Sequence, residues 1–326
     1  MKYLNTLYQN WITEKCKSIY FSNKAVSVPE QPIDKRDWRL PLSLKHKSGD
    51  SSEFPKKFSR RGSTPSVKNQ GSIGSCVGHS GRVVYGSTEE FKNSEPSAMW
   101  IYKNGQKYDP WPGEDYSGTT IRGAAYGLKK DGCCEEKFWP YTGRETAPKL
   151  SGADQNAEAF RIKSFFVINK SEPNSIKKTL LKEPLWTSIM VYNGLFSVSS
   201  FGESAGLVDS ETYLDSGKAG GHAIAMTGWK YVEGVLHWEF QNSWGTGFGD
   251  KGFFYVSHSL YKKIIINAIG PYYLNVKSED LKPDPEPKPD PEPKPDPKPD
   301  PKPDPEPKPD PEPKPDPKPD PKPDPK

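Results

Sequence analysis

The amino-acid sequence predicts an α+β fold in which helices come first and strands later along one globular domain. Helix-type patterns at 76–92 and 119–130 precede the strand-type patterns that dominate from 185 to 257. Helices and strands in separate runs favour an α+β arrangement, whereas regular alternation would favour a parallel α/β sheet. The C-terminal segment of the sequence has proline at every second residue and cannot pack into a core. The globular domain is therefore predicted to end before that segment.

The predicted elements follow one another in a simple order. The first helix begins at Cys76, and the second, over 119–130, ends at Asp131-Gly132, a pair typical of a helix terminus. A strand at 160–168 and a short helix at 173–181 come next. The remaining strands are predicted at 185–192, 223–229, 236–241 and 252–257, the last three as an antiparallel group.

The composition is that of one globular domain with appendages. A chain of 326 residues has room for one or two domains, yet only 33% of its residues are hydrophobic. The C-terminal segment explains the low value, because every second residue from Pro283 to Pro325 is proline, 22 of the 35 in the chain. The predicted organisation is an N-terminal extension over 1–50, a globular domain over 51–278 and a disordered tail over 279–326.

The tail is predicted to adopt polyproline II geometry. Each proline lacks an N–H donor and biases the preceding residue toward an extended conformation. The intervening residues are only Asp, Glu and Lys, so the tail can be a solvated spacer, or a stalk or ligand for a polyproline-binding partner. The formal net charge of +4 is modest and no recognition motif accompanies it, which argues against a nucleic-acid partner.

Three separated blocks carry the candidate chemistry. They are VKNQGSIGSC ending at Cys76, GHA around His222, and QNSWG containing Asn242. A cysteine is a strong nucleophile only as thiolate, so it needs an imidazole to accept its proton and a third group to orient that imidazole. Cys76, His222 and Asn242 supply those three parts. His79 lies three residues after Cys76 and could share its helical face, but a nucleophile in the first helical turn points into a cleft, so His222 is the favoured base.

Together these blocks resemble the papain-like cysteine proteases over roughly residues 55–270, and in particular the shorter microbial and viral members. The resemblance implies a two-lobed fold, with a helical lobe that presents the nucleophile and an antiparallel β-rich lobe that presents the base across a cleft. It also implies that Gln70, six residues before Cys76, donates to the oxyanion, and that Trp244 shields the bond between His222 and Asn242 from water. Asn242 follows His222 by 20 residues, as the resemblance requires.

The sequence also departs from the usual signature around the nucleophile. Ile73 stands where a disulfide cysteine is expected and Val77 where an aromatic residue is expected. The remaining cysteines, Cys16 and the adjacent Cys133 and Cys134, predict no disulfide framework, because neighbouring cysteines bridge only with backbone strain. A reducing compartment is therefore expected, and the change at Val77 is expected to alter specificity more than chemistry.

The first 50 residues predict an amphipathic helix and a possible pro-segment. Tyr3, Leu7 and Trp11 recur at helical spacing, and no apolar run long enough for a signal peptide or a membrane span is present. A cytoplasmic or particle-associated location is thus expected. The stretch from Phe54 resembles the start of a mature papain-like domain, so 1–50 is either a pro-segment or a permanently packed surface helix.

The function implied is a cysteine endopeptidase that acts on polypeptides through an acyl-enzyme. No cofactor or metal is expected, because the cysteines and histidines show no paired ligand spacing. Two alternatives stay open at this point. A papain-fold isopeptidase or acyl transferase would use the same three side chains, whereas an inactive papain-fold binding protein would keep only the fold.

Overall fold

The structure, a computed structural model, describes residues 19–21, 24–26, 28–29, 54–110, 116–208, 212–267 and 270–275. The chain divides into two compact units, Met1–Glu286 and Pro287–Lys326, and all described residues belong to the first. The predicted N-terminal helix and the proline-alternating tail lie outside the described residues. Within the described part, no helix is long and apolar enough to cross a bilayer.

Three helices form the helical lobe. The first, α1, spans Cys76–Gly86; α2 spans Ala98–Tyr108, and α3 spans Ile121–Lys130. The side chains of Ser97 and Thr120 cap α2 and α3 by accepting main-chain N–H bonds, as N-terminal Ser and Thr residues commonly do. The helix α3 confirms the prediction at 119–130, whereas α2 is absent from the predicted elements.

The helix α1 is shorter than predicted. It begins at Cys76 as expected, but it ends at Gly86 rather than at 92, and a separate 3₁₀ turn covers Glu89–Phe91. Ser87 and Thr88 explain the early end, because their hydroxyls donate to the carbonyls of Val83 and Tyr85, each at 2.7 Å. Side-chain donors of this kind satisfy the carbonyls that a helix leaves unpaired where it stops.

A mixed, mainly antiparallel sheet forms the second lobe. Its strand order is β4-β10-β5-β7-β8-β9-β6, and β3 pairs with β7 beside this path; only the β6–β9 pair is parallel. The strands are β3 Lys57–Ser59, β4 Ser164–Val167, β5 Leu185–Tyr192, β6 Leu207–Val208, β7 Lys218–Val232, β8 Val235–Gln241, β9 Phe253–Ser257 and β10 Tyr272–Asn275. The N-terminal strands β1 Ile19–Phe21 and β2 Lys24–Val26 pair only with each other.

The predicted strands are confirmed, with one longer and one shorter than expected. The strand β5 has the predicted bounds, β7 extends beyond 223–229 at both ends, and β4 is only the central part of 160–168. Four short α-helices and two further 3₁₀ turns, Glu136–Phe138 and Asn193–Ser197, complete the described elements. The α-helices are α4 Ala153–Glu158, α5 Pro173–Leu180, α6 Thr212–Asp215 and α7 His258–Ile264. Of these, α5 fits the prediction at 173–181.

Alternating side chains of β7 serve two separate cores. Ala223 and Ala225 belong to the core of the helical lobe, whereas Ile224 and Met226 belong to the core of the sheet lobe. Successive side chains of a strand point to opposite faces, so one strand can pack against the cores of both lobes. His222 shares the face of Ile224 and stands where β7 meets both cores.

Candidate active site

Cys76 is the first residue of α1, and its side chain is buried. The partial positive charge at a helix N-terminus favours a thiolate at this position. The preceding residue, Ser75, does not cap the helix with its side chain. Its hydroxyl instead lies 2.9 Å from the hydroxyl of Tyr141 and 3.3 Å from Nδ1 of His79. The residue before Cys76 is therefore contacted by the side chains of Tyr141 and His79.

His222 and Asn242 form a direct hydrogen bond. Nε2 of His222 lies 2.7 Å from Oδ1 of Asn242, and the same Oδ1 accepts from the main-chain N–H of Ser243 at 2.8 Å. An amide oxygen can only accept, so the proton of the neutral ring is on Nε2. The other ring nitrogen, Nδ1, is then an acceptor, and it is buried without a hydrogen-bond partner.

Burial sets the protonation state of His222. Desolvation lowers the pKa of the imidazole to about 4, and the hydrogen bond to Asn242 opposes that shift only in part. The ring is consequently neutral at physiological pH. A neutral imidazole with an unpartnered Nδ1 is the form that accepts a proton from a neighbouring thiol.

Trp244 packs against the His222 imidazole. Its ring stacks on the His222 imidazole with centroids 4.7 Å apart and an angle of 25° between the planes. Phe196 stacks on Trp244 at 5.3 Å, and Phe248 meets it edge-on at 5.0 Å. This aromatic cluster places apolar surface against the imidazole through the Trp244 ring.

Gln70 forms hydrogen bonds both to the loop that precedes Cys76 and to the segment that carries Asn242. Its Nε2 donates to the carbonyl of Ile73 at 3.0 Å, and its Oε1 accepts from the hydroxyl of Ser243 at 2.5 Å. Main-chain bonds run beside these contacts, from Gln70 N to Ser243 O and from Gly245 N to Lys68 O. Gln70 is fully buried. Residues far apart in sequence are thus brought into one compact unit.

Two further side chains pack at the site: Tyr141, which had no role assigned from the sequence, and His79, which the sequence placed outside the proton transfer. The hydroxyl of Tyr141 donates to the carbonyl of Gln70 at 2.7 Å, and its ring meets His79 edge-on with centroids 4.4 Å apart. Burial, assisted by the positive charges of Arg82 and Lys68, lowers the pKa of His79 to about 3. The Trp-Pro-Tyr segment that ends at Tyr141 was the available signal, but its contacts depend on the tertiary fold.

None of the cysteines in the described ranges forms a disulfide. Cys76, Cys133 and Cys134 are buried and unbridged, and Cys16 lies outside the described residues. Burial raises the pKa of Cys133 well above the ordinary thiol value and raises that of Cys134 to about 12. These two thiols are therefore protonated and inert compared with a thiolate nucleophile.

Comparison with known proteins identifies the class. The family model of papain family cysteine proteases matches residues 54–270, which is most of the chain. The chain belongs to the papain family of cysteine proteases, and its fold is the two-lobed α+β fold of that family. This result confirms the family and the fold class predicted from the sequence.

Individual relatives are distant. Peptidase 1 of Psoroptes ovis is 28% identical over 192 residues, which are 58% of this chain and 56% of that protein. Cathepsin B-like cysteine proteinase 3 of Caenorhabditis elegans is 54% identical, but over only 43 residues, 13% of this chain and 12% of that protein. The chain spans 56–58% of the length of the mite relatives that it matches.

Solved structures show the same fold at low identity. Xylellain, a cysteine protease from Xylella fastidiosa, has a TM-score of 0.64 at 21% identity, with 81% of this chain and 98% of that chain covered. Bromelain from Ananas comosus, solved in complex with the E64 inhibitor, has a TM-score of 0.52 at 19% identity and is covered over its full length by 69% of this chain.

Proposed function

We propose that this protein is a cysteine endopeptidase in which Cys76 is the nucleophile, His222 the general base and Asn242 the group that orients the base. The single observation that carries the proposal is the state of His222. Its Nε2 is bonded to Asn242 at 2.7 Å while its Nδ1 is buried and unpartnered. A histidine oriented in this way has one nitrogen reserved for proton transfer.

The proposed reaction passes through a thioester. Nδ1 of His222 takes the thiol proton of Cys76, and the thiolate attacks the carbonyl carbon of the scissile peptide. The imidazolium then returns the proton to the leaving amine. Water, deprotonated by His222, attacks the thioester carbon and releases the Cys76 thiol with the carboxylate product. The residues need no cofactor or metal for these steps.

Gln70 is proposed to hold the oxyanion together with the main-chain N–H of Cys76. A primary amide has two N–H hydrogens, so the bond from Gln70 to Ile73 O is compatible with donation to a substrate. The bond that Gln70 Oε1 accepts from Ser243 fixes which end of the amide faces the nucleophile loop. Donors held in place before reaction stabilise developing charge with little reorganisation.

Residues 1–50 are proposed to include a segment that restrains the site. The main-chain N–H of Val28 donates to the carbonyl of Gly221 at 2.8 Å, and Gly221 directly precedes His222. Val28 and Pro29 are both buried. A Cβ at Gly221 would collide with the Val28 carbonyl oxygen, so only glycine permits this approach. Extended backbone beside the proposed catalytic histidine would obstruct an extended polypeptide substrate.

The proposal is tested by substitution and by labelling. Cys76→Ala and His222→Ala should each abolish hydrolysis of a fluorogenic peptide while the far-UV spectrum and Tm stay close to those of the parent. Asn242→Ala should retain a reduced rate of hydrolysis, because it removes only the group that orients the His222 imidazole. Turnover retained in Cys76→Ala would exclude the mechanism.

Labelling distinguishes the alternative functions. An epoxide or vinyl-sulfone probe that forms an adduct at Cys76, located by mass spectrometry, would exclude an inactive binding protein. Hydrolysis of an isopeptide-linked substrate in preference to a linear peptide would instead assign the same three side chains to an isopeptidase. Transfer of the acyl group to an added amine, measured against hydrolysis, would assign them to an acyl transferase.

A further inference from the structure

A small, partly open cavity, with the half-exposed Lys68 among its lining residues, lies against Asn242. Its walls include Arg82 from α1, Gln241 at the end of β8, and Asn242 itself, with Val83 and Ala223 as apolar neighbours. The side chains of Arg82, Gln241 and Asn242 are at most 3% exposed. An arginine in this interior position is unusual, since charged side chains are rarely buried unless they are paired.

The charge of Arg82 is already compensated. Nη1 lies 3.3 Å from Oε2 of Glu95, and Nη2 donates to the carbonyl of Ser66 at 2.5 Å. The carboxylate of Glu95 also lies 3.7 Å from Nζ of Lys68. Arg82 is therefore held in place by these groups, and it does not require an anion as a further partner.

Four polar atoms of the cavity walls have no hydrogen-bond partner. One is Nη1 of Arg82, which has only the ion pair with Glu95, and the others are Nε of Arg82, Nδ2 of Asn242 and Oε1 of Gln241. The other end of each amide is bonded: Nε2 of Gln241 donates to the Pro65 carbonyl at 2.7 Å, and Oδ1 of Asn242 accepts from Ser243 and faces His222. The orientation of both amides is thereby set, with one acceptor and, besides the ion-paired Nη1, two donors left unpaired.

We propose that this cavity binds one ordered water molecule and that Arg82 acts through it as a positioning residue for Asn242. The water accepts from Arg82 Nε and Asn242 Nδ2 and donates to Gln241 Oε1, which gives it about three hydrogen bonds, the usual number for a buried water. A halide could accept from the two donors but could not donate to Gln241. The donor and acceptor set therefore selects water.

The consequence for the site is that Asn242 is held at both ends. Ser243 N–H and His222 fix the oxygen end, while the water anchors the nitrogen end to α1. If the amide rotated by half a turn, its N–H group would face the N–H of His222 Nε2 and the orienting bond would be lost. The helix that carries Cys76 thus also sets the direction of the group that orients the base. This inference rests on the proposed role of Asn242.

The first test is a high-resolution crystal structure of the full-length protein. We expect one water within hydrogen-bond distance of Arg82 Nε, Asn242 Nδ2 and Gln241 Oε1. A dry cavity would overturn the proposal. A second crystal soaked in sodium bromide tests whether the cavity binds an anion. Anomalous bromide density in the cavity would assign an anion site and would also overturn the proposal.

The second test is a double-mutant cycle on one fluorogenic peptide. Arg82→Met should lower kcat about tenfold with KM unchanged within about twofold. In the Asn242→Ala background the same change should cause no further loss, because its effect passes through Asn242. Equal losses in both backgrounds would show a merely structural role. Should Arg82→Met fail to fold, Gln241→Met removes the acceptor on the opposite wall and carries the same cycle.

Matched controls separate this inference from the proposed function. Arg61→Met removes another ion-paired arginine, bonded to Glu239 and Asp250 on the sheet, and should leave kcat unchanged. Full activity of Asn242→Ala would remove the proposed role of Asn242 itself. A slow Asn242→Ala combined with a fully active Arg82→Met would overturn only the role of Arg82.

Discussion

At the scale of single residues, burial lowers the pKa values of His79 and His222, whose hydrogen-bond partners differ. His222 has its Nδ1 unpartnered, whereas Nδ1 of His79 lies 3.1 Å from the carbonyl of Ser75. Both rings are neutral at physiological pH because desolvation lowers their pKa values. A negative charge beside His222 would favour its charged form, as the proposed role of general base requires. His79 has a position and partners that suit a structural residue.

The first prediction concerns Gln70 as an oxyanion donor. Gln70→Ala should lower kcat by roughly 10²–10³ with little change in KM, the loss observed when one such donor is removed from other hydrolases. Steady-state kinetics on a fluorogenic peptide measure both constants. Gln106→Ala is the matched control, since Gln106 bonds the carbonyls of Tyr116 and Gly118 away from the site. A rise in KM alone would make Gln70 a substrate-binding residue instead.

The second prediction concerns stability against pH. The folded pKa of His79 is about 3, below the ordinary value of 6.5, so the folded state binds fewer protons than the unfolded state. Its contribution is present above pH 6.5 and is lost as the pH falls toward 3. In His79→Gln, the slope of unfolding free energy between about pH 6 and 4 should be shallower by about 1.4 kcal/mol per pH unit.

Chemical denaturation at several pH values measures that slope. Tyr141→Phe is the control, because it keeps the His79 imidazole and its burial while removing only the Tyr141 hydroxyl. The control should retain the slope of the parent protein. A His79→Gln variant with an unchanged slope would mean that His79 is accessible to protons in the folded state.

At the scale of elements, β7 and α1 position the proposed base and the proposed nucleophile. The strand β7 contributes to both cores and delivers His222, while α1 begins at Cys76 and carries His79 and Arg82 on its buried surface. The segment at Val28 adds a third element beside Gly221. Because this contact is made by backbone atoms, it depends on the path of the N-terminal segment more than on its side chains.

The third prediction concerns that N-terminal segment. Deletion of residues 1–50 should raise kcat/KM on a small fluorogenic peptide, and the separate segment added in trans should inhibit. Val28→Pro in the full-length protein should raise activity in the same direction, because proline lacks the N–H that donates to Gly221. Val26→Pro is a matched change two residues away and should have a smaller effect. Equal kcat/KM for full-length and shortened protein would exclude a pro-segment and favour a permanently packed surface segment.

At the scale of the whole molecule, two cores on either side of β5 and β7 give a rigid support for one site. Trp186 of β5 belongs to the helical core, and its Nε1 donates to Ser80 of α1 at 2.8 Å. Trp229 and Trp238 fill the sheet core. The proline-alternating residues have no side chains able to join either core, since they are only Pro, Asp, Glu and Lys.

The fourth prediction follows for the tail. Truncation after Leu281 should leave kcat, KM and Tm unchanged, because a charged polyproline segment contributes no buried apolar surface. Calorimetry and the peptide assay on both forms measure these quantities. A lower activity of the shortened form would show that the tail takes part in function, and pull-down with a polyproline-binding domain would then identify the kind of contact.

The sequence alone was sufficient for the family, the α+β class and most strand positions. The blocks around Cys76, His222 and Asn242 are local patterns, and the β5 run from Leu185 to Tyr192 is apolar enough to be identified without its neighbours. The helix α2 was missed, and α1 was predicted too long. The end of α1 depends on hydroxyl bonds from Ser87 and Thr88 that compete with continued helix, which an apolar pattern does not reveal.

Only the tertiary structure shows which contacts hold the side chains of the site in place. The bond between Gln70 and Ser243, the contact of Tyr141 with Gln70, and the burial of Arg82 behind Asn242 each join residues that are distant in sequence. Spacing along the chain can suggest a nucleophile and its base, because their types are chemically distinctive. It cannot show which polar atoms remain unpaired, since hydrogen-bond partners and desolvation arise only when separate elements pack together.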